Sequence, residues 1–300
     1  MDIRKLEIFC EVYRCRGYSS AAKALGLTQS AVSQQVKSLE RELGTALFDR
    51  AARQSPTAAG DYLYNEGAGL LARIADVENG VRHASGLGGG TVRFGMIDVA
   101  ATQLLPRALH GFKEAFPQVE VEAVVKTSGD LIEMVEGFEL DFAVVVTNNV
   151  PETIQSFDIY EDSIVAVVRK GSTLERKGLS VADLKGEPLI LYPTSAHSRI
   201  LIDEVLRSNG VVPTVGMEMH YPAAIISLVE QGMGVGLVSE LSTREVRTRK
   251  VSFVAVDELN GVRRIGVSLQ RGRRPSPQAR ALMETIKKAR VGLHGALRLL

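Results

Sequence analysis

The run Gly86-Leu87-Gly88-Gly89-Gly90 limits what this chain can fold into more than any other segment. Glycine at this density loses too much backbone freedom to hold a helix or a ladder, so residues 86–90 read as a hinge. The hinge parts an N-terminal region patterned as helices from a remainder in which strands and helices alternate. With 300 residues there is room for two or three domains of roughly 100–200 residues each.

Ahead of the hinge, Leu6, Phe9, Cys10 and Tyr13 recur at the spacing of an amphipathic helix. A second helix is predicted over about 20–25, stopped by Gly26. A third covers about 30–43, with Val32, Val36, Leu39 and Leu43 inward and Gly44 as its stop. A long helix follows over about 57–82. Its positions Leu63, Leu70, Ile74, Val77 and Val81 form a near-heptad stripe in which Gly67 fills the missing place. The stripe can pack on its own domain or on a second copy of the helix. A helix this long outreaches the small domain before it, which favours the second copy.

After the hinge, strands are predicted at 92–96, 119–125, 142–146, 164–168, 189–192, 216–220, 235–238, 253–256 and 265–269. Helices are predicted at 104–115, 131–136, 198–208, 223–231 and 276–290. Runs such as Phe142-Ala143-Val144-Val145-Val146 are apolar on both faces, as central strands of parallel sheets are. The expected class is therefore α/β with open, mostly parallel sheets, whose ligands gather at the carboxyl ends of strands.

The segment from Ser19 to Val36 carries the sharpest chemistry. Small Ala21 and Ala22 permit a steep helix crossing, and Gly26 suits the tight connection. Leu25, Leu27, Val32 and Val36 can lock the pair into one core, with Ser19 or Ser20 capping the first helix and Thr28 the second. Gln29, Ser30, Ser33, Gln34 and Lys37 then point outward at the start of the second helix, where a recognition helix meets base edges. Gln pairs bidentately with adenine, Ser suits either base type, and Lys37 suits phosphate. The bland alternative is a polar, solvated helix face. Net charge, +1 for the whole chain, does not separate the two.

The stretch Ala21-Ala22, Leu25, Gln29-Ser30-Ala31-Val32-Ser33-Gln34-Gln35-Val36, Leu39-Glu40, Leu43-Gly44, Leu47-Phe48 and Arg50 resembles the N-terminal winged helix-turn-helix of the LysR-type transcriptional regulators. Thr57-Ala58-Ala59-Gly60 is similar to the point where that family's wing meets its linker helix. Leu104-Leu105-Pro106, Phe112, Phe116-Pro117 and Val119 are similar to the opening of its second domain, as is Gly232-Met233-Gly234-Val235-Gly236-Leu237-Val238 to a later part.

The resemblance covers the whole chain and implies its architecture: an all-α winged helix-turn-helix at 1–57, a linker or dimerisation helix at 58–85, the hinge, and an α/β effector domain at 91–300. That domain resembles periplasmic solute-binding proteins, with subdomain I at about 91–161 and 265–300 and subdomain II at about 162–264. It implies contacts to double-stranded promoter or operator DNA from Ser19, Thr28, Gln29, Ser30, Ser33, Gln34, Lys37, Arg50 and Arg53, although 50–57 is about one residue shorter than the family's wing. It also implies a homo-oligomer, a dimer of dimers forming a homotetramer, with RNA polymerase as a further partner. No cofactor is implied.

A small-molecule effector would lie between the subdomains, against the loops 98–102, 127–129, 147–148 and 193–199. The residues these loops offer are Asp98, Ala100, Thr102, Thr127, Ser128, Thr147, Thr194, Ser195 and His197, with Arg199 as added positive charge. Hydroxyls and helix N-termini favour a small organic or inorganic anion, whereas Asp98 would favour an amine. Ser128 and Ser198 also read as helix caps.

The competing class is a catalytic α/β domain fused to a DNA-binding one. Gly-x-Ser-x-Gly, His-Glu-x-x-His and phosphate-loop motifs are all lacking, and the five histidines are scattered singly. The chain is read as non-enzymatic and metal-free. Cys10 and Cys15 do not share a helix face, so no disulfide is expected. No apolar run reaches the ~18 residues of a membrane span, and the N-terminus lacks a signal-peptide layout. The cytoplasm is the expected location.

Overall fold

Asp2 accepts a hydrogen bond from the Arg4 amide at 3.0 Å and so starts α1 (Ile3–Cys15). The computed structural model describes residues 2–49, 55–85, 89–244 and 246–289, in two units, Met1–Ala84 and Ser85–Leu300. Arg50, Arg53, His294 and positions 86–88 of the glycine run lie outside the described residues.

In the first unit α1 packs on α2 (Tyr18–Leu25) and α3 (Gln29–Leu43). Their core is Leu6, Ile8, Phe9, Val12, Ala21, Ala22, Val32, Val36 and Leu39, all nearly free of solvent. Gly26 closes α2 with φ +64°, a left-handed conformation costly for any residue with a Cβ. Thr28 caps α3 by accepting from the Ala31 amide at 3.2 Å.

Three expectations need correction here. Leu27, expected in the core, is 36% exposed in the turn after α2. Ser19 and Ser20 lie inside α2, whose cap is Gly17, because the helix starts earlier than the apolar pattern does. Leu43 is 42% exposed, since the last turn of α3 runs past the end of the core.

Glu40 accepts from the Leu47 amide at 2.9 Å and the Phe48 amide at 3.4 Å, tying α3 to β1 (Phe48–Asp49). β1 pairs antiparallel with β2 (Ser55–Pro56). Thr57 then donates to the Ala46 carbonyl at 2.8 Å and accepts from the Gly60 amide at 3.1 Å, launching α4 (Ala58–Ala84). Tyr13 stacks on Tyr64 at 3.9 Å and donates to Asp61 at 2.8 Å, which seats α4 on α1. The missing place at Gly67 has a steric reason: a Cβ there would come 2.7 Å from Leu6 Cδ1. Further along α4, Leu70, Val77 and Val81 are at least half exposed.

The second unit carries two five-stranded sheets. The first, in the order β4-β3-β5-β12-β6, comprises β3 (Thr91–Met96), β4 (Glu120–Val125), β5 (Phe142–Val146), β6 (Ile154–Asp162) and β12 (Arg263–Gln270). The second, in the order β11-β7-β10-β8-β9, comprises β7 (Ile164–Arg169), β8 (Pro188–Leu191), β9 (Thr214–Glu218), β10 (Val235–Ser239) and β11 (Val251–Ala255). Helices α5 (Asp98–Gln103), α6 (Leu105–Ala115), α7 (Ser128–Glu136) and α10 (Pro277–Ala289) belong with the first sheet, α8 (His197–Ser208) and α9 (Pro222–Glu230) with the second.

The sheets are mixed rather than mostly parallel. β3, β4 and β5 run parallel, as do β8, β9 and β10, but β12 is antiparallel to both β5 and β6, and β7 to both β10 and β11. β6 falls where the apolar pattern predicts no strand, and the expected loop at 98–102 is the helix α5, too short to show a period.

The chain passes between the sheets at Asp162–Ile164 and returns ahead of Arg263. At this double crossing the buried Asp162 accepts from Arg263 Nη1 at 2.6 Å, from Ser239 Oγ at 2.6 Å and from the Leu241 amide at 3.1 Å. Removing one partner of such a pair strands the other charge in a low-dielectric interior. Asp162→Ala is therefore expected to cost about 3–5 kcal/mol in urea unfolding; a midpoint equal to the parent's would show that the pair adds nothing to the fold.

Candidate functional site

Two regions gather polar groups that the fold does not consume. The first is the face of α3. Thr28 holds its N-terminus, and Gln29, Ser30, Gln34 and Lys37 stand exposed there, with Ser33 half-buried. Ser30, Gln34, Lys37 and Arg41 follow one another along one side of the helix and line a groove with Thr45 and Ala46. At about 1.5 Å per residue the helix is ~22 Å long, a rod that a DNA major groove admits. Ser19 is exposed on α2. Arg41 was missed, though its spacing from Lys37 was the available signal.

The second is a cavity of about 310 Å³ in the other unit, where strand ends of both sheets converge. Ile97 and Asp98 reach it from the end of β3, Lys126, Thr127 and Ser128 from β4, Tyr192 and His197 from β8, and His220 and Tyr221 from β9. Ser239 and Arg263, members of the buried Asp162 cluster, complete the wall.

Of the residues expected from the sequence, Asp98, Thr127, Ser128 and His197 line this cavity. Ala100 is sealed in the core, and Thr102 donates to the Val99 carbonyl of its own helix at 3.2 Å. Thr147 donates to Asp158 at 2.5 Å, and Thr194 and Ser195 are exposed outside the lining. Arg199 is buried and committed to Asp203 and Glu218, so it offers the cavity no free charge. Thr127, not Ser128, caps α7, accepting from the Asp130 amide and donating to its carboxylate at 2.8 Å. Ser198 makes no cap either: it lies inside α8, whose N-cap position is Ala196 and carries no side-chain cap.

Arg263 and Tyr192 were missed. Arg263 is 4% exposed, and its Nε finds no partner. The same holds for His197 Nδ1, and burial lowers the His197 pKa, keeping the ring neutral near pH 7. Tyr192 is held protonated: burial raises its pKa, with Arg263 acting in the opposite direction and Asp98 and Asp162 adding to the rise.

Among the described residues no cluster of His, Cys, Asp and Glu could hold a metal ion, and no helix is long and apolar enough to cross a membrane.

Residues 3–61 match the bacterial regulatory helix-turn-helix protein, lysR family, and residues 85–290 match the LysR substrate binding domain. The HTH-type transcriptional regulator CbbR of Rhodospirillum rubrum is 28% identical over 289 residues, 96% of either chain. YofA of Bacillus velezensis, also an HTH-type transcriptional regulator, is 28% identical over 255 residues, 85% of this chain and 86% of its own. Among solved structures, a full-length variant of OxyR from Pseudomonas aeruginosa shares the fold with a TM-score of 0.74 at 16% identity, over 96% of this chain and 94% of that one. Full-length CbnR complexed with its target DNA gives 0.63 at 19% identity, over 96% and 100%. The two family matches take in both the helix-turn-helix unit and the cavity-bearing unit, and the chain belongs to the LysR family: it is a DNA-binding transcriptional regulator with a substrate-binding domain.

Proposed function

We propose that this regulator acts in the cytoplasm without catalysing a reaction, and that a small effector bearing an anionic group occupies the cavity and modulates how the protein holds promoter DNA. The observation that carries this reading is Arg263, a buried residue of the cavity lining whose guanidinium keeps an Nε with no hydrogen-bond partner. An unmade charge-assisted hydrogen bond in such a place favours a ligand that completes it. Arg263 also stands at the crossing between the sheets, so a ligand that engages it differently in open and closed forms would shift their balance.

On the DNA side, Gln29, Ser30, Ser33 and Gln34 are the residues proposed to meet base edges. Lys37 meets phosphate, with Thr28 and Ser19 alongside and Arg50 and Arg53 contributing from the wing. The exposed Leu70, Val77 and Val81 of α4 support pairing of that helix in a homodimer, and a dimer of dimers would present recognition helices to successive major grooves. RNA polymerase is the further partner this arrangement would meet at a promoter.

Gln34→Ala is expected to cost about 1–3 kcal/mol of affinity and to relax preference at one base pair. Lys37→Ala should weaken all sequences alike and lower the slope of log K against log salt by about one unit. Gel shifts over a salt series on operator and scrambled DNA separate the two, and identical behaviour would reject the assignment of roles.

Carboxylic acids should raise the melting temperature of the full chain and change its footprint on promoter DNA. Stabilisation by simple amines alone, or an unchanged footprint with a stabilising acid, would count against the effector reading.

A further inference from the structure

The cavity sorts its unused groups by sign. Arg263 Nε is an unclaimed donor. Ser128 Oγ accepts from the Val146 amide at 3.1 Å, which occupies a lone pair and leaves its proton uncommitted. Tyr192 Oη likewise accepts from the Ser239 amide at 3.4 Å, and its own proton has no acceptor among the described residues. These three groups, all on buried residues lining the cavity, form a set of donors without acceptors.

Asp98 has the opposite character. Its carboxylate lines the same cavity and makes no hydrogen bond or ion pair with any described residue. It lies near enough to the Tyr192 phenol to influence its ionisation. Asp130, the other carboxylate of the lining, is already engaged by Thr127. Counting Lys126 and Arg263 against Asp98 and Asp130, the ionised lining is balanced, two charges of each sign. A dianion such as phosphate would meet two carboxylates with only one buried cation, itself already paired with Asp162.

From this pairing of an unclaimed donor cluster with an unclaimed carboxylate, we infer that the effector is a zwitterion of the free α-amino acid type. Its carboxylate is held by Arg263, Ser128 and Tyr192, and its ammonium by Asp98. The inference rests on the reading of this cavity as the effector site and adds the ammonium group to it. The volume, about 310 Å³, suits a small ligand, at the lower end of ligand pockets at roughly 300–1,000 Å³.

The test is a calorimetric and thermal-shift panel on the full chain, using the twenty common L-amino acids, their N-acetyl and methyl-ester derivatives, and the matching acids that lack the amino group. At least one free amino acid should bind, with both of its derivatives and the deaminated acid weaker by about tenfold or more. Asp98→Asn should abolish the preference for the amino acid over the deaminated acid. Since Asp98 has no partner among the described residues, that variant is expected to keep its parent melting temperature; should it fail to fold, the derivative series on the parent protein decides alone.

Deaminated acids that bind as well as amino acids would overturn the zwitterion while leaving the anion-bearing effector standing. Binding by no member of either series would overturn both, with membership of the regulator family untouched.

Discussion

The effector unit depends on one buried ion pair. Asp162 ends the last strand of the first sheet before the chain leaves it, and Arg263 begins the strand that re-enters. Their bond at 2.6 Å ties the two crossing segments together at the point where the sheets meet. Ser239 and the Leu241 amide, which belong to the second sheet and the turn after it, give Asp162 two further hydrogen bonds. An ion pair without these extra hydrogen bonds would barely offset the cost of burying two charges. With them, it ties one sheet to the other at a place where Arg263 also lines the cavity.

The DNA-facing unit is built on a different principle. There an apolar core fixes three helices, and polar groups serve mainly at their ends. Glu40 is one exception, since it spends its carboxylate on the amides of Leu47 and Phe48. That choice anchors the first wing strand to α3, so the helix face with Ser30, Gln34 and Lys37 and the root of the wing belong to one rigid piece. The Tyr13–Tyr64 stack extends this piece into the first turns of α4.

Much of this could be read from local pattern. The apolar run 142–146 coincides with β5, and Gly26, Thr28 and Val32 behave as the turn, cap and core that their chemistry demands. What escaped was information held outside any local window. β6 is a sheet edge whose residues alternate poorly between buried and exposed, so no period announced it. Strand direction is likewise not written in side chains: β7 is apolar on both faces yet runs antiparallel to its neighbours. At the cavity, residues chosen for proximity to strand ends divided according to what their hydroxyls were already doing. Thr102, Thr127 and Thr147 spend theirs on nearby protein groups. Arg263 was hidden because its partner lies 101 positions away; an isolated Arg and an isolated Asp flanking apolar strands were the only trace.

The asymmetry between Arg263 and Asp98 bears on how regulators of this architecture diversify. Arg263 serves the fold and the cavity together, so few replacements survive there. Asp98 and the exposed Tyr221 carry no such obligation, and mutations at them pass the stability threshold that removes most variants. Substitutions that alter the cavity are thus expected to fall on residues such as these before they fall on Arg263, so that a lineage could acquire responses to new molecules without first rebuilding its scaffold.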